Sequence, residues 1–174
     1  MRHTYAAAIE ENDSRRFGMP PRNRMLTDEC DGRTAVQPSE DENSIRLLLA
    51  SLYDSWARGD GESYGACFAE KSDYITFNGV HLRSRAENAE LHGALFRGVL
   101  KGTKLSAEIE SLELLSNSVA LVHTVGSGRK KSYQTYVLVK SDAGWLIRSF
   151  QNTRVQPFSI WVTRWMQRRA SHSG

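Results

Sequence analysis

Apolar residues first recur regularly after Ser39. Ser39 through Glu42 form a capping box with acidic residues in the first turn, where the helix dipole favours them. Apolar side chains then repeat at spacings of three and four up to Trp56, and the pattern stops at Arg58-Gly59. This predicts an amphipathic helix. Asp60 can cap a second, short helix, whose predicted apolar side is formed by Tyr64, Cys67 and Phe68.

The stretch from Asp73 to Phe96 mixes polar residues with residues that look buried. It predicts a strand, a tight Asn78-Gly79 break, a second short strand, and a helix over residues 85–99 that begins with a capping box at Ser84 and Glu87. A core that contains polar atoms must satisfy them or use them on a ligand. The polar residues in question are Tyr74, Thr76, Asn78 and His92, and the side chains predicted inward on the helix are Ala86, Ala89, Leu95, Phe96 and Val99.

The pattern changes to alternation after residue 103. Residues 104–114 alternate, with glutamates mostly on one face, and residues 118–125 are almost continuously apolar. A glycine-rich basic turn at 126–131 leads into a strand over 132–140, and Asp142-Ala-Gly144 closes a hairpin into a last strand over 145–155. Three helices followed by four hairpin-linked strands predict an α+β fold, with the helices on one face of a curved, mostly antiparallel mixed sheet.

Composition and charge divide the chain into three parts. We predict a flexible leader over residues 1–38, a single domain over 39–157 and a basic tail over 158–174. The tail carries Arg164, Arg168 and Arg169 without an acid, and we expect it to dock on the domain or on a dimer partner, with membrane-surface contact as the weaker alternative. No apolar run approaches the ~20 residues of a membrane helix, and no secretory h-region is present, so a cytoplasmic location is expected.

Five short motifs occur in an order and spacing that resemble a known superfamily. They are Trp56-Ala-Arg-Gly-Asp60, Asp73-Tyr74 with Gly79, His92 to Phe96, Asp142-Ala-Gly-Trp145 and Gln151-Asn-Thr-Arg154. Over residues 40–157 the chain is similar to the nuclear transport factor 2-like (SnoaL or ketosteroid-isomerase-like) cone fold, and within it to the SgcJ/EcaC group of small bacterial proteins. The resemblance implies a cone with an apolar pocket and a homodimer formed through the sheet.

Members of this superfamily bind or isomerise small apolar molecules or serve in polyketide and enediyne pathways. An isomerase of this kind needs a carboxylate as general base. The equivalent position, at the end of the first strand, holds Asn78, which cannot take up a proton at neutral pH. Asn78-Gly79 is also a common turn pair. The SgcJ/EcaC group is labelled oxidoreductase by name, but no GxGxxG element follows a strand, and no cofactor is predicted.

Two histidines are the candidate catalytic residues. His92 lies on the helix expected beside the pocket, and His123 shares a strand face with Leu121 and Val125. Their spacings, with His81, give no metal-ligand pair, so no metal is predicted. Gln151 and Thr153 are predicted to share a face with Trp145 and Ile147, pointing into the pocket or onto an exposed sheet face. The candidate pocket residues are Trp56, Tyr74, Asn78, Phe96, Tyr136, Gln151 and Thr153.

The sequence therefore favours a small-molecule-binding protein of the SnoaL-like superfamily. It would act as an isomerase-like, cyclase-like or accessory enzyme of specialised metabolism on an apolar ligand, and whether it is catalytic stays open. The alternative is a non-enzymatic dimerisation or association module of the same fold. An open cavity of several hundred Å³ with convergent polar groups favours the first hypothesis, and a sealed interior disfavours it. We expect no nucleic-acid partner, because the basic residues form no dense stripe with interleaved aromatics, and membrane contact is disfavoured.

Overall fold

The computed structural model describes residues 38–126 and 131–170, except for the side chains of residues 169 and 170. The predicted leader lies outside this part apart from Pro38, as does most of the basic turn. No helix among the described residues is long and apolar enough to cross a membrane. The elements are α1 (Glu40–Arg58), α2 (Gly61–Ala66), β1 (Phe68–Ile75), β2 (His81–Leu82), α3 (Arg85–Arg97), β3 (Ala107–Ser116), β4 (Val119–Gly126), β5 (Ser132–Ser141), β6 (Gly144–Arg154) and α4 (Pro157–Ala170).

The predicted helix caps are present in the structure. The Ser39 hydroxyl accepts from the Glu42 N–H, and the Glu42 carboxylate accepts from the Ser39 N–H, which completes the capping box of α1. Asp60 caps α2 through the Ser63 N–H. At α3 the box is altered: Ser84 accepts from the Glu87 N–H, but the Glu87 carboxylate accepts from the N–H of Arg83.

Helices α2 and α3 approach closely because glycines line the contact. A Cβ on Gly61 would lie 2.6 Å from the Cα of Gly93, and one on Gly65 would lie 2.7 Å from the Cβ of Ala89. Tyr64 is buried, as predicted, but α2 ends at Ala66. Phe68 therefore begins β1 rather than lying on the helix, which corrects the prediction.

The six strands form one mixed sheet in the order β2-β1-β6-β5-β4-β3. Strands β1 and β6 run parallel, and every other neighbouring pair is antiparallel. The predicted α+β architecture is confirmed. Helices α1 to α3 cover one face, here called the inner face, whose strand residues join a single apolar core. The residues of this core from the sheet are Phe68, Tyr74, Ala120, Val122, Tyr136, Leu138, Trp145, Ile147 and Phe150.

The buried side of α3 differs from the predicted one. Asn88, His92 and Phe96 are buried, whereas Ala86 is exposed and Val99 is 63% exposed beyond the end of the helix. The three buried residues follow one another at a spacing of four, so they form one stripe. Because two of these three residues are polar, the spacing of apolar residues in the sequence predicts a different buried side.

A β-bulge in β6 reverses the predicted alternation. Leu138 pairs with Ile147, but Val137 pairs with Ser149, so Arg148 is an extra residue. After the bulge Phe150 and Asn152 face inward, opposite Tyr136 and Gln134 of β5. The prediction that Gln151 and Thr153 share a face with Trp145 and Ile147 is wrong. Both side chains are exposed on the opposite face, here called the outer face.

Candidate functional site

His92 lies at the centre of an aromatic cluster inside the cone. Its side chain is only 3% exposed. The ring centroids of Tyr64 and Tyr74 lie 4.4 and 5.1 Å from that of His92, and those of Trp56 and Phe96 lie 5.7 and 5.8 Å away. Helix α1 supplies Trp56, α2 supplies Tyr64, β1 supplies Tyr74 and α3 supplies the other two, so four elements meet at this imidazole.

The hydrogen bond of His92 determines its tautomer. Nδ1 lies 2.9 Å from the carbonyl oxygen of Asn88, which can only accept, so Nδ1 carries the proton. Burial lowers the pKa of His92 to about 4, against a smaller opposing effect of this hydrogen bond. The imidazole is therefore neutral at pH 7, and Nε2 is a hydrogen-bond acceptor. A base with so low a pKa is a poor proton carrier near neutrality.

Two tyrosine hydroxyls lie beside the imidazole ring. Tyr64 donates to the hydroxyl of Tyr74 at 3.5 Å, so the proton of Tyr74 stays available for another acceptor. Burial raises the pKa of Tyr74 to about 12, and burial followed by the neighbouring Tyr74 raises the pKa of Tyr64 well above its ordinary value. Both hydroxyls are therefore protonated at neutral pH, and Tyr74 can act as a hydrogen-bond donor.

A small cavity lies next to this cluster, with Trp56, Tyr74 and His92 in its wall. Its volume is about 50 Å³. Helices α1 and α3, the β1–β2 turn and the end of β6 form its walls, and none of the described residues that line it carries a carboxylate. The lining residues are Trp56, Tyr74, Thr76, Phe77, Val80, Leu91, His92, Leu95, Leu100 and Asn152.

Asn152 contributes a buried polar atom without a partner to this wall. Among the described residues, nothing donates to its Oδ1, although that atom is shielded from solvent. Its neighbour across the sheet, Gln134, is satisfied in a different way: Thr124 donates to Gln134 Oε1 at 2.6 Å, and Gln134 Nε2 donates to Ser132 at 2.7 Å. The alternation of residues along β6 does not predict Asn152 as a pocket residue, because its inward direction depends on the bulge at Arg148.

A second unsatisfied amide is buried in α3. Asn88 has no exposed surface, and neither of its side-chain polar atoms has a partner in the described part of the chain. It lies one turn before His92, whose imidazole its backbone carbonyl orients. Asn88 does not line the cavity.

Asn78, the predicted counterpart of the isomerase base, is exposed in the β1–β2 turn. Its Oδ1 accepts from the Thr76 hydroxyl, and the turn is closed by a hydrogen bond from the Thr76 N–H to the Val80 carbonyl at 3.0 Å. Gly79 has φ +87°, which glycine adopts without strain. Asn78 therefore belongs to the turn, and its neighbours Thr76, Phe77 and Val80 line the cavity instead.

The remaining predicted pocket residues divide between the two faces. Tyr136 is buried on the inner face with its ring centroid 4.9 Å from that of Phe150. His123 does share a face with Leu121 and Val125, but that face is the outer one, where the His123 ring contacts the Thr135 hydroxyl at 3.1 Å. The sheet therefore separates His123 from His92.

Asp73, the acid of β1 nearest to Asn78 in the sequence, forms its hydrogen bonds outside the cone. Asp73 accepts from His81 and from Arg148, each at 2.9 Å. The hydrogen bond from His81 and, to a smaller extent, the one from Arg148 lower the pKa of the Asp73 carboxyl. The bulged residue of β6 thus fixes this carboxylate on the outer face, away from the cavity.

No model of a known protein family matches the chain, and no curated protein matches it. Solved structures do. A domain of unknown function with a cystatin-like fold from Nostoc punctiforme is 31% identical, with a TM-score of 0.65, and the match covers 78% of this chain and 95% of that one. A ketosteroid isomerase-like protein from Erwinia carotovora has 17% identity and a TM-score of 0.58, covering 68% and 98%.

An NTF-2 like protein of unknown function from Shewanella oneidensis is 22% identical, with a TM-score of 0.55 and coverage of 64% and 97%. Together with the curved six-stranded sheet, these neighbours show the class of fold: an α+β cone like that of the NTF-2 like and ketosteroid isomerase-like proteins. Within that class, the chain belongs to the family of the Nostoc punctiforme domain.

Proposed function

We propose that this protein binds a small, mostly apolar molecule that carries one hydroxyl group, in the cavity beside His92. The observation that carries the proposal is the Oδ1 atom of Asn152. A buried polar atom without a partner is rare in native proteins, and here it lies in the wall of an otherwise largely apolar cavity.

The polar atoms around the cavity match a hydroxyl group. Asn152 Oδ1 and the unprotonated Nε2 of His92 are acceptors, and the Tyr74 hydroxyl is a donor. A hydroxyl both donates and accepts, so one such group on the ligand can satisfy atoms of both kinds. The side chains of Trp56, Leu95 and Leu100, which line the cavity, would then enclose the apolar remainder of the ligand.

The size of the cavity limits the ligand. At about 50 Å³ it is far smaller than the ~300–1,000 Å³ sites that hold drug-sized molecules. We therefore propose an occupant no larger than a single ring, admitted by movement of the turn over residues 76–80, of which residues 78–80 are exposed. The volume does not reach the several hundred Å³ expected above for the ligand-binding hypothesis, and it argues against a bulky polycyclic ligand.

Any catalysis at this site would use Tyr74 rather than a carboxylate. In the part of the chain that the structure describes, no Asp or Glu lines the cavity, and neutral His92 is too weak a base to remove a proton efficiently at pH 7. Tyr74 can donate a hydrogen bond to a ligand oxygen and so stabilise negative charge on it. We also propose that the protein serves in specialised metabolism and is related to the SgcJ/EcaC group. Only the order and spacing of the sequence motifs support this part of the proposal.

Phenol and toluene, which differ by a hydroxyl in place of a methyl group, test the proposal. We expect phenol to shift the Trp56 indole and His92 resonances of the full chain at lower concentration than toluene. Asn152→Leu removes the unpartnered acceptor and should abolish this preference. Gln151→Leu, one residue away on the outer face, is the matched control and should retain it. No shift with either compound, or an unchanged preference in Asn152→Leu, would contradict the proposal.

A second candidate function is association between two copies through the outer face. Leu121, Val125, Val137 and Val139 lie there, only half buried, while α1 to α3 all pack on the inner face. Half-buried apolar side chains on a broad sheet face are typical of an interaction surface. We propose a homodimer, and light scattering of the full chain over a range of concentrations measures it directly.

A further inference from the structure

Helix α4 carries an exposed apolar side. Phe158, Trp161 and Met166 are 77%, 61% and 57% exposed. The rings of Phe158 and Trp161 are stacked, with their centroids 6.2 Å apart. The helix begins three residues after the end of β6 and stands beside Tyr133 and Val155 across a cleft of about 530 Å³. An amphipathic helix this exposed is stabilised when another surface covers its apolar side.

The charge of α4 is of one sign. Residues 157–170 contain three arginines and no acid. Arg164 is exposed in the middle of the helix. A surface that covers α4 should therefore be apolar with acidic residues beside it.

The outer face of the sheet has these two properties. Glu108 pairs with Val125 and Glu113 pairs with Leu121, so both glutamates lie on the same face as these apolar residues. Strand β3 has no lysine or arginine, and among the described residues no ion pair involves Glu108 or Glu113. Acidic residues thus follow one edge of an apolar surface.

The register of the strands relates α4 to this edge. Glu108, Val125, Tyr133 and Thr153 form one row across the outer face. Helix α4 leaves the sheet next to the Thr153 end of the row, and Glu108 is at the other end. When two copies face each other about a two-fold axis parallel to the strands, the two ends of this row are exchanged, so α4 of one copy lies against Glu108 of the other.

We propose that α4 of each protomer lies across β3 of a second copy, with Trp161 on the partner's outer face and Arg164 against the partner's Glu108. This inference rests on the homodimer proposed above and adds to it the element that determines its geometry. A two-fold axis forms the contact twice, so each dimer has two such pairs. The glutamates of β3 also argue against an anionic membrane as the occupant, because they would be brought towards the same negative surface.

Charge reversal in the full chain tests the contact. Arg164→Glu and Glu108→Arg should each raise the dimer dissociation constant about tenfold, measured by sedimentation equilibrium at low salt. The double variant restores opposite charges in every pair, and its constant should return to within about threefold of the wild-type value. Lys101→Glu, an exposed substitution after α3, is the control and should change nothing.

The outcomes separate the two proposals. A wild-type chain that stays monomeric at every concentration overturns the homodimer and this inference with it. A dimer whose dissociation constant is unaffected by both single variants, or whose double variant is weaker than either, overturns only the contact between α4 and β3. Binding of the wild-type chain to phosphatidylserine vesicles, lost in Arg164→Glu without any change in the dimer, would assign α4 to a membrane surface instead.

Discussion

The most informative single residue is His92, whose imidazole is buried among four aromatic rings and kept neutral. Removing a charged imidazolium from water is costly, and the one hydrogen bond from Nδ1 to Asn88 offsets only part of that cost. The same burial that keeps His92 neutral also couples the stability of the fold to pH.

We predict that the free energy of unfolding decreases as the pH falls from 6.5 to 4.5. In this window the unfolded chain protonates His92, near its reference pKa of about 6.5, while the folded chain does not protonate it until about pH 4. The unfolded state then binds more protons, so acid destabilises the fold, by up to about 2–3 kcal/mol for this group alone. Urea unfolding at a series of pH values measures the decrease.

The matched control for this prediction is His123 on the outer face. His92→Leu should flatten the pH dependence between 6.5 and 4.5, whereas His123→Leu should retain it. An equal slope in all three proteins would show that His92 is not the group responsible.

At the scale of elements, the close approach of α2 to α3 positions the His92 stripe against Tyr64. A Cβ at Gly61 would lie 2.6 Å from backbone atoms of Gly93, which is closer than unstrained atoms come. Backbone atoms cannot move aside as a flexible side chain can, so the helices would have to separate. The separation would also open the contact between the Tyr64 and His92 rings.

We therefore predict that Gly61→Ala destabilises the protein by about 1–3 kcal/mol. Gly93→Ala is the matched variant on the opposing helix, because its Cβ would meet only the flexible end of Arg97 at 3.5 Å. That substitution should be neutral or stabilising by up to about 1 kcal/mol, since alanine has a higher helix propensity than glycine in a helix interior. Chemical denaturation of both variants measures the difference, and equal stabilities would contradict the close approach.

The molecule as a whole combines a compact cone with one helix outside its core. None of the α4 residues whose side chains the structure describes, 157–168, belongs to the apolar core. The core is formed by α1 to α3 and the inner face of the sheet, and Asp41 of α1 is additionally bound to Lys140 and Trp145 of the last hairpin. The apolar core thus lies outside α4, the helix for which a contact between two copies is proposed above.

Removal of residues 157–174 should therefore leave a folded domain. At concentrations where the full chain is monomeric, we expect the melting temperature of the truncated chain to lie within a few degrees of the full chain's, with a cooperative transition. At high concentration the truncated chain should melt lower, because it lacks the stabilisation that association provides. Circular dichroism checks both expectations, and loss of the cooperative transition at low concentration would show that α4 is part of the core.

Features that depend on neighbours in sequence were predictable from the chain alone. Ser39, Asp60 and Ser84 were recognised as helix caps, and Asn78-Gly79 and Asp142-Ala-Gly144 as turns, because each interaction spans only a few residues. The α+β class follows from these elements in order. Residue type also drew attention to Trp56, Tyr74, His92 and Phe96, which the fold places together.

The direction of the polar groups was decided only by the tertiary structure. The bulge at Arg148 turns Asn152 inward and Gln151 and Thr153 outward. It depends on pairing with β5 and on the hydrogen bond from Arg148 to Asp73, which lies far away in the sequence. The burial of Asn88 and His92 likewise depends on helices and strands that meet only in the folded cone. Period and propensity describe one segment at a time, whereas these directions result from contacts between segments far apart in the chain.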